Sequence, residues 1–167
     1  MISESYREQN RLLHETAPLF GAVSARWLGR VEEACRAAKS RNVLDYGCGK
    51  GSLVKTLEGL GYDAHGYDPA IPEYSARPKP ADVVICTDVL EHIEPEHLEA
   101  VLDDLRGLTK TLIFLIVSTR MAKKTLPDGR NAHLIVRDQR YWLEDLMKRF
   151  RLIKFHSADS GFEALME

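Results

Sequence analysis

The sequence predicts an α/β fold with a doubly wound, mostly parallel sheet that ends in an antiparallel hairpin. Three observations support this fold class. Short apolar segments alternate with amphipathic helical segments, which is typical of parallel strands connected by helices. A glycine-rich turn separates the first strand from the helix that follows it. Two further strand-like segments flank the turn at residues 159–161 and close the chain as a hairpin.

Length and composition restrict the class of protein. The chain has 167 residues, 44% of them hydrophobic and 29% charged, which is typical of one domain with its own core. A net charge of −2 argues against sequence-independent binding to duplex DNA. Three scattered cysteines do not form a disulfide framework, and the chain shows neither a secretory signal nor a membrane-spanning run. We therefore expect a cytoplasmic protein that binds neither duplex DNA nor membranes.

The pattern of apolar and polar residues predicts the helices and strands in order. Residues 1–40 are polar and helical in character, and we expect them to form an N-terminal helical cap on a core of residues 41–167. Short apolar runs predict the strands of this core: 42–45, 64–67, 82–86, 111–117, 151–156 and 162–166. Helical patterns cover 52–60, 95–106 and 138–150, the last with Tyr141, Trp142, Leu146 and Met147 facing inward. Four prolines between positions 69 and 80 predict an irregular loop.

The glycine-rich turn predicts a ligand site. It reads Asp45-Tyr46-Gly47-Cys48-Gly49-Lys50-Gly51, and glycines at alternate positions let the backbone approach a ligand without Cβ clashes. The N-terminus of the next helix offers free N–H groups to polar ligand atoms. Asp68 follows the second strand, where its carboxylate can accept hydrogen bonds from both hydroxyls of a ribose. A dinucleotide fingerprint would need glycine at position 52, which is serine.

This turn, together with Asp68 and the order of elements, resembles the class I S-adenosylmethionine-dependent methyltransferases over roughly residues 40–167. The resemblance implies a Rossmann-like fold with S-adenosylmethionine as cofactor. Its methionine end would lie along Gly47, Gly49 and Gly51, with Asp45 helping to hold it and Asp68 at the ribose. Family members place a helix and a strand where this chain has only its proline-rich loop, so we expect a shortened sheet. Ile71 and Tyr74 are then the candidates for the adenine contact.

A second group of candidate site residues follows the third strand. Asp88, Glu91 and His92 are spaced so that a helical turn would place them on one face. Such a group favours a bound cation, and His133 would complete a ligand set suited to Mg²⁺ or Mn²⁺. Other interpretations remain open: Glu91 and His92 as caps of the next helix, Asp88 as a cofactor contact, and His133 as an ordinary surface or core residue.

The pattern acid-x-x-Glu-His with a later histidine resembles two groups of metal-assisted O-methyltransferases. One acts in ubiquinone biosynthesis, and the other methylates the 3′-terminal 2′-hydroxyl of small RNAs. The resemblance implies Asp88, Glu91, His92 and His133 as metal ligands, with Asp88 where the family usually has Glu. Glu91, His92 and His133 are also the catalytic candidates, because a histidine would serve as the general base if no metal binds.

Basic residues indicate the chemistry of the substrate. Residues 118–131 carry four positive charges at the predicted substrate rim, a pattern that fits either an anionic ligand or a solvated loop. Polar residues of the N-terminal segment either complete the pocket or face solvent: Tyr6, Arg7, Gln9, Asn10 and His14. We expect an enzyme that O-methylates a small anionic molecule. The alternatives are a methyltransferase for RNA 3′ ends and a cofactor-binding regulatory domain without turnover.

Overall fold

The computed structural model describes residues 2–16 and 24–167 and confirms the predicted fold class. The strands are β1 (Asn42–Tyr46), β2 (Asp63–Tyr67), β3 (Ala81–Thr87), β4 (Thr109–Ser118), β5 (Leu152–Ala158) and β6 (Gly161–Met166). The α-helices of the described chain are α1 (Glu4–Thr16), α2 (Leu28–Ala38), α3 (Ser52–Gly59), α4 (Leu98–Leu108) and α5 (Gln139–Leu146). Part of the predicted N-terminal cap, Met1 and residues 17–23, lies outside the described residues.

One six-stranded sheet organises the molecule, in the order β2-β1-β3-β4-β6-β5. The first four strands of this order run parallel, and β6 joins β4 and β5 in antiparallel pairing. Only a short 3-10 turn, Pro72–Tyr74, interrupts the irregular connection from β2 to β3, so β2 forms the edge of the sheet as the shortened connection predicts. The carboxyl ends of the four parallel strands therefore meet at one side of the sheet, where open α/β folds bind ligands.

Helices cover both faces of this sheet. Alternate residues of β3 and β4 point to opposite faces, as the pleat requires, and most of them are fully buried. Apolar side chains of α4 and α5 pack on one face, and those of α2 and α3 pack on the other. Burial on both faces explains why these strands are almost continuously apolar in sequence. Within the described ranges, no helix has the length and apolar character needed to cross a membrane.

Helix α5 differs from the sequence-based prediction in length and in its inward face. It begins after Asp138, whose side chain accepts a hydrogen bond from the Tyr141 N–H at 2.9 Å. Trp142 and Leu146 are fully buried, but the expectation that Tyr141 and Met147 face inward is wrong. Tyr141 is one position from the buried stripe, and Met147 lies beyond the end of the helix with 57% of its surface exposed. Trp142 and Leu146, four residues apart, share the inner face of this short helix.

The close packing of the terminal hairpin can be tested at Gly161. A Cβ at this position would lie 2.2 Å from the Val117 carbonyl oxygen, so Gly161→Ala should lower the free energy of unfolding by about 1–3 kcal/mol. Gly107→Ala is the control, because a Cβ there meets nothing within 4 Å and helix propensity predicts a gain of up to ~1 kcal/mol. Urea denaturation measures both variants, and equal stability would contradict the packing described.

Candidate functional site

A cleft of about 440 Å³ opens at the carboxyl ends of the parallel strands. This volume lies within the usual range for small-molecule and cofactor sites. The loops after β1, β2 and β3 form one wall, and α1 with the loop after β4 forms the other. Its polar lining includes Asn10, His14, Arg26, Asp68, Asp88, His92, Lys123, Lys124 and His133.

The glycine-rich loop forms the floor of the cleft near β1. Gly47, Gly49 and Gly51 adopt positive φ angles of 79°, 52° and 70°, which L-residues with side chains rarely adopt. Gly47 and Gly49 line the cleft, and a Cβ on Gly47 would lie only 2.3 Å from a methyl carbon of Val89. Gly51 is buried and packs against Tyr74, whose hydroxyl oxygen would lie 2.2 Å from a Cβ there. The first two glycines therefore face the cleft, while the third supports the loop.

The candidates for an adenine contact do not lie in the cleft. Tyr74 packs against Gly51 and Gly66, and neither Tyr74 nor Ile71 contributes to the lining. The loop after β2 instead presents Pro69 and Ala70, together with Asp68. Pro72–Tyr74 folds back as a 3-10 turn, and this directs the aromatic ring towards the glycine-rich loop.

Two carboxylates lie beside the glycine-rich loop, one facing the cleft and the other buried in the protein. Asp68 lines the cleft and holds the loop, because its carboxylate accepts the Gly49 N–H at 3.0 Å and the Ala70 N–H at 2.9 Å. Asp45 is 2% exposed, does not line the cleft, and has no hydrogen-bond partner for Oδ2. Burial and the nearby charge of Asp68 raise the pKa of Asp45 to about 7. Asp45 can thus change protonation near neutral pH.

Glu91, His92 and His133 come together at the other end of the cleft. One potential ligand atom from each lies within 4.8 Å of the others, and the two imidazole rings meet edge to face with centroids 4.7 Å apart. Glu91 is fully buried; its Oε1 accepts the Ser118 N–H at 2.9 Å, while Oε2 has no hydrogen-bond partner. Burial and the charge of Asp88 raise the pKa of Glu91 to about 8. A cation would stabilise the ionised form of this carboxyl group.

Backbone carbonyls fix the tautomers of both histidines. His92 Nδ1 lies 2.7 Å from the Ala132 carbonyl oxygen, and His133 Nδ1 bonds the Arg120 carbonyl oxygen. Because a carbonyl only accepts, each Nδ1 carries the proton and each Nε2 carries the lone pair. Burial and the neighbouring His133 lower the pKa of His92 to about 4, so this imidazole is neutral at pH 7. Neutral imidazoles oriented through Nδ1 are the form in which histidine binds metals.

The structure does not bring Asp88 into this group. Its carboxylate forms an ion pair with Arg26 at 2.7 Å, and its backbone has a positive φ of 56°. The turn after it, Leu90–His92, is a 3-10 turn rather than the helix that the spacing assumed, so the three side chains do not share one face. Among the described residues, the group of potential ligands therefore consists of Glu91, His92 and His133, and Asp88 lies on the cleft wall.

Sequence reasoning missed Arg26. It lines the cleft, pairs with Asp88 across 62 residues of chain, and lies over the Trp27 ring at 4.7 Å. No local pattern signals such a long-range pair.

Helix α1 forms part of the cleft wall. Tyr6, Asn10 and His14 line the cleft, whereas Arg7 pairs with Glu4 on the exposed face. The Tyr6 hydroxyl donates to the His92 carbonyl oxygen. Ser3, just before the helix, donates from its N–H and hydroxyl to Glu94 at 2.8 and 2.7 Å. These bonds fix α1 to the turn that carries His92.

Comparisons with known proteins agree with this architecture. A family model described as a methyltransferase domain matches residues 13–166. The chain is similar to the PH0226 protein of Pyrococcus horikoshii OT3, with a TM-score of 0.66 and 17% identity over 92% of this chain and 97% of that one. It is also similar to the magnesium protoporphyrin IX methyltransferase of Synechocystis PCC 6803 with bound SAH, with a TM-score of 0.53 and 19% identity over 83% and 82% of the two chains.

A third similar structure comes from Burkholderia thailandensis. It is the 1,6-didemethyltoxoflavin-N1-methyltransferase, with a TM-score of 0.61 and 13% identity over 99% of this chain and 91% of that one. No curated protein matches the chain. At these identities the structural likenesses establish the fold.

The raised pKa of Asp45 predicts a pH-dependent stability. The folded-state pKa of about 7 exceeds the ordinary aspartate pKa of 3.8, so between these values the folded protein holds a proton that the unfolded chain releases. Protonation of Asp45 therefore contributes fully to the free energy of unfolding at a pH below the unfolded-state pKa. This contribution is lost as the pH rises through the folded-state pKa of about 7. Asp45→Asn should therefore gain stability relative to wild type between pH 5 and pH 8, as urea denaturation would show.

The exposed Asp159 supplies the control for this prediction. Asp159→Asn should leave the slope of stability against pH as it is in wild type. If the stability of Asp45→Asn changed with pH as that of wild type does, the result would contradict the buried environment described for Asp45.

Proposed function

The chain belongs to the family of methyltransferase domains, whose methyl donor is S-adenosylmethionine, and we propose that it methylates a hydroxyl group of a small anionic molecule with the help of a divalent cation. One observation carries this proposal: Glu91, His92 and His133 converge beside the cleft with one carboxylate oxygen lacking a hydrogen-bond partner. Two imidazoles and a carboxylate suit Mn²⁺ and related ions.

The residues around the glycine-rich loop fit S-adenosylmethionine. Gly47 and Gly49 keep the floor of the cleft free of side chains, so a ligand can approach the backbone closely. Asp68 faces the cleft and has acceptor capacity beyond its two backbone partners, which suits ribose hydroxyls. Arg26 offers a positive charge to the carboxylate of the methionine end.

The Glu91, His92 and His133 group fits a divalent cation. Each Nε2 carries a lone pair because each Nδ1 donates to a backbone carbonyl, and Glu91 Oε2 is buried without a partner. Bound together, S-adenosylmethionine supplies an electrophilic methyl group and a divalent cation lowers the pKa of the acceptor hydroxyl. The low pKa of His92 favours a ligand role over that of general base, since an efficient base titrates near the working pH.

The chain's own residues orient the reactants and restrict water. His133 lies at the junction of the cluster and the loop after β4, where it would hold the cation next to an acceptor hydroxyl. Helix α1 covers the cleft through Tyr6 and Asn10, which limits access to solvent. Lys123 and Lys124 give the acceptor end a positive charge, and this supports an anionic substrate.

His133→Gln tests the catalytic proposal. A panel of hydroxyl acceptors (a catechol acid, a sugar phosphate, a nucleotide and an RNA 3′ end) is assayed for methyl transfer with Mn²⁺ or Mg²⁺. We expect transfer to at least one acceptor, and the variant should lose at least ~100-fold in turnover while its affinity for S-adenosylhomocysteine stays the same. EDTA should abolish the wild-type reaction.

His65→Gln is the matched control, because His65 is exposed on β2 and pairs with Asp63 away from the cluster. It should retain full turnover. Undiminished transfer by His133→Gln would remove His133 from the reaction, and EDTA-resistant transfer would exclude the cation. Transfer confined to nitrogen acceptors would overturn the proposal of O-methylation.

Asp68→Ala tests the cofactor end separately. Loss of the carboxylate removes acceptors for both the loop and the ribose, so the affinity for S-adenosylhomocysteine should fall by about 1–3 kcal/mol in calorimetric titration. Asp63→Ala, an exposed carboxylate on the edge strand, should bind like wild type. Unchanged affinity in Asp68→Ala would remove Asp68 from the cofactor site.

A further inference from the structure

We propose that Asn131 is the positioning residue of the Glu91, His92 and His133 cluster. Its side-chain amide holds the loop after β4 in the shape in which two backbone carbonyls orient both imidazoles. Asn131 is not among the residues that line the cleft, so it acts through its neighbours. The role of the cluster rests on the proposed function, whereas the orientation of the imidazoles can be measured without a cation and without methyl transfer.

The loop after β4 depends on such support because it has little regular structure of its own. The described residues 119–138 connect β4 to α5 without forming a helix or a strand, and an isolated bridge joins Thr125 to Asn131. The polar groups of its backbone must therefore find partners in side chains, in other segments or in water. The same loop carries His133 and the two carbonyl groups that contact the imidazoles, so its shape determines how the cluster is arranged.

The amide of Asn131 joins two segments of this loop. Its Nδ2 donates to the Ala122 carbonyl oxygen and its Oδ1 accepts the Ala122 N–H, both at 2.9 Å, as a neighbouring strand would do. The same Oδ1 accepts the His133 N–H at 2.9 Å and closes a turn. These three bonds need a donor and an acceptor on two adjacent atoms. Asparagine provides both, whereas the carboxylate of aspartate provides only acceptors.

The segments that Asn131 joins supply the carbonyl groups that orient the imidazoles. The Arg120 carbonyl oxygen accepts a hydrogen bond from His133 Nδ1, and the Ala132 carbonyl oxygen lies 2.7 Å from His92 Nδ1. These two carbonyls therefore keep the proton on each Nδ1 and the lone pair on each Nε2. Backbone partners of this kind commonly orient the histidines of metal sites.

Ala122 links the amide of Asn131 to the Arg120 carbonyl. Ala122 lies two residues after Arg120, and both of its backbone polar groups bind the Asn131 side chain. It also packs against a buried apolar cluster of Tyr6, Leu126 and Ala132. Because Ala122 is held by packing, the bonds from Asn131 fix the distance between the Arg120 carbonyl and the His133 ring. Without them, His133 would lose the partner that selects its tautomer.

The test observes the tautomers directly in protein without a cation. NMR spectroscopy of the histidine ring nitrogens at about pH 8, where an ordinary imidazole is neutral, distinguishes the Nδ1–H form from the Nε2–H form. Wild type should show the Nδ1–H form for both His92 and His133. Asn131→Ser can still close the turn to His133 but cannot reach Ala122, so His133 should change mainly to the Nε2–H form, which a neutral imidazole favours in water.

Asn131→Asp separates the hydrogen bonds from the change in side-chain size. It keeps an acceptor for the Ala122 and His133 N–H groups, so His133 should stay in the Nδ1–H form. Amide spectra of the same samples check that each variant is folded. An unchanged His133 tautomer in Asn131→Ser, or an equal loss of the Nδ1–H form in both variants, would overturn the inference.

The affinity for Mn²⁺ is a second measurement, made on protein saturated with S-adenosylhomocysteine. Asn131→Ser should weaken Mn²⁺ binding by about tenfold or more, the usual effect of losing a group that orients a metal ligand. Asn42→Ser is the matched control, because the Asn42 amide also joins separate segments, at the far end of the sheet. It donates to Asp63 at 2.7 Å and accepts the Asp82 N–H at 3.1 Å.

The control separates positioning from a general loss of stability. Both serine variants should lower the free energy of unfolding in urea, but Asn42→Ser should keep the wild-type tautomers and the wild-type affinity for Mn²⁺. Equal changes of the His133 tautomer in the two variants would contradict a positioning role for Asn131.

The outcomes distinguish this inference from the proposed function. If wild type binds no Mn²⁺ while Asn131→Ser changes the His133 tautomer, the positioning role stands and the cation-assisted reaction fails. If wild type binds Mn²⁺ and methylates a hydroxyl while Asn131→Ser keeps both the tautomer and the affinity, the proposed function stands and this inference fails.

Discussion

The candidate site depends on the hydrogen bonds that the buried residue Glu91 accepts. Its Oε1 accepts the Ser118 N–H at the end of β4, and its carbonyl oxygen accepts the Ile135 N–H at 3.0 Å. The turn after β3, the end of β4 and the segment that carries His133 are joined through this one residue. His92 follows it directly in the chain, so the same contacts bring both imidazoles together. The second carboxylate oxygen lacks a partner, which is destabilising in a buried position unless a ligand supplies one.

Three unfavourable features lie around the cleft. Asp45 is buried beside the charge of Asp68, and Glu91 Oε2 lacks a partner. Asp88 holds a left-handed backbone conformation that non-glycine residues seldom adopt. All lie at or next to the carboxyl ends of β1, β2 and β3. Folded proteins retain such features where function requires them, which supports this end of the sheet as the place of binding and chemistry.

Much of the fold could be predicted because it depends on local patterns. Apolar runs and the glycine-rich turn identified the strands, and the spacing of Glu91, His92 and the distant His133 identified three residues that do converge. The features that the sequence did not predict depend on local backbone geometry or on long-range contacts. A 3-10 turn and a positive φ direct Asp88 away from the cluster, and its pairing with Arg26 has no sequence signal. Likewise, the folded-back turn that holds Tyr74 against Gly51 could not be foreseen from proline content.

The central claim is that Glu91, His92 and His133 bind a divalent cation beside the methyl donor, and titration of Mn²⁺ into protein saturated with S-adenosylhomocysteine tests it most directly. Electron paramagnetic resonance of free Mn²⁺ should show one saturable site in wild type. The affinity for Mn²⁺ should fall by at least about tenfold in His92→Ala. It should stay at the wild-type value in His97→Ala, because the His97 side chain lies beside Glu94 and outside the cluster. Asp88→Asn should also retain binding, since Asp88 pairs with Arg26. Absence of saturable binding, or equal binding by wild type and His92→Ala, would contradict the account.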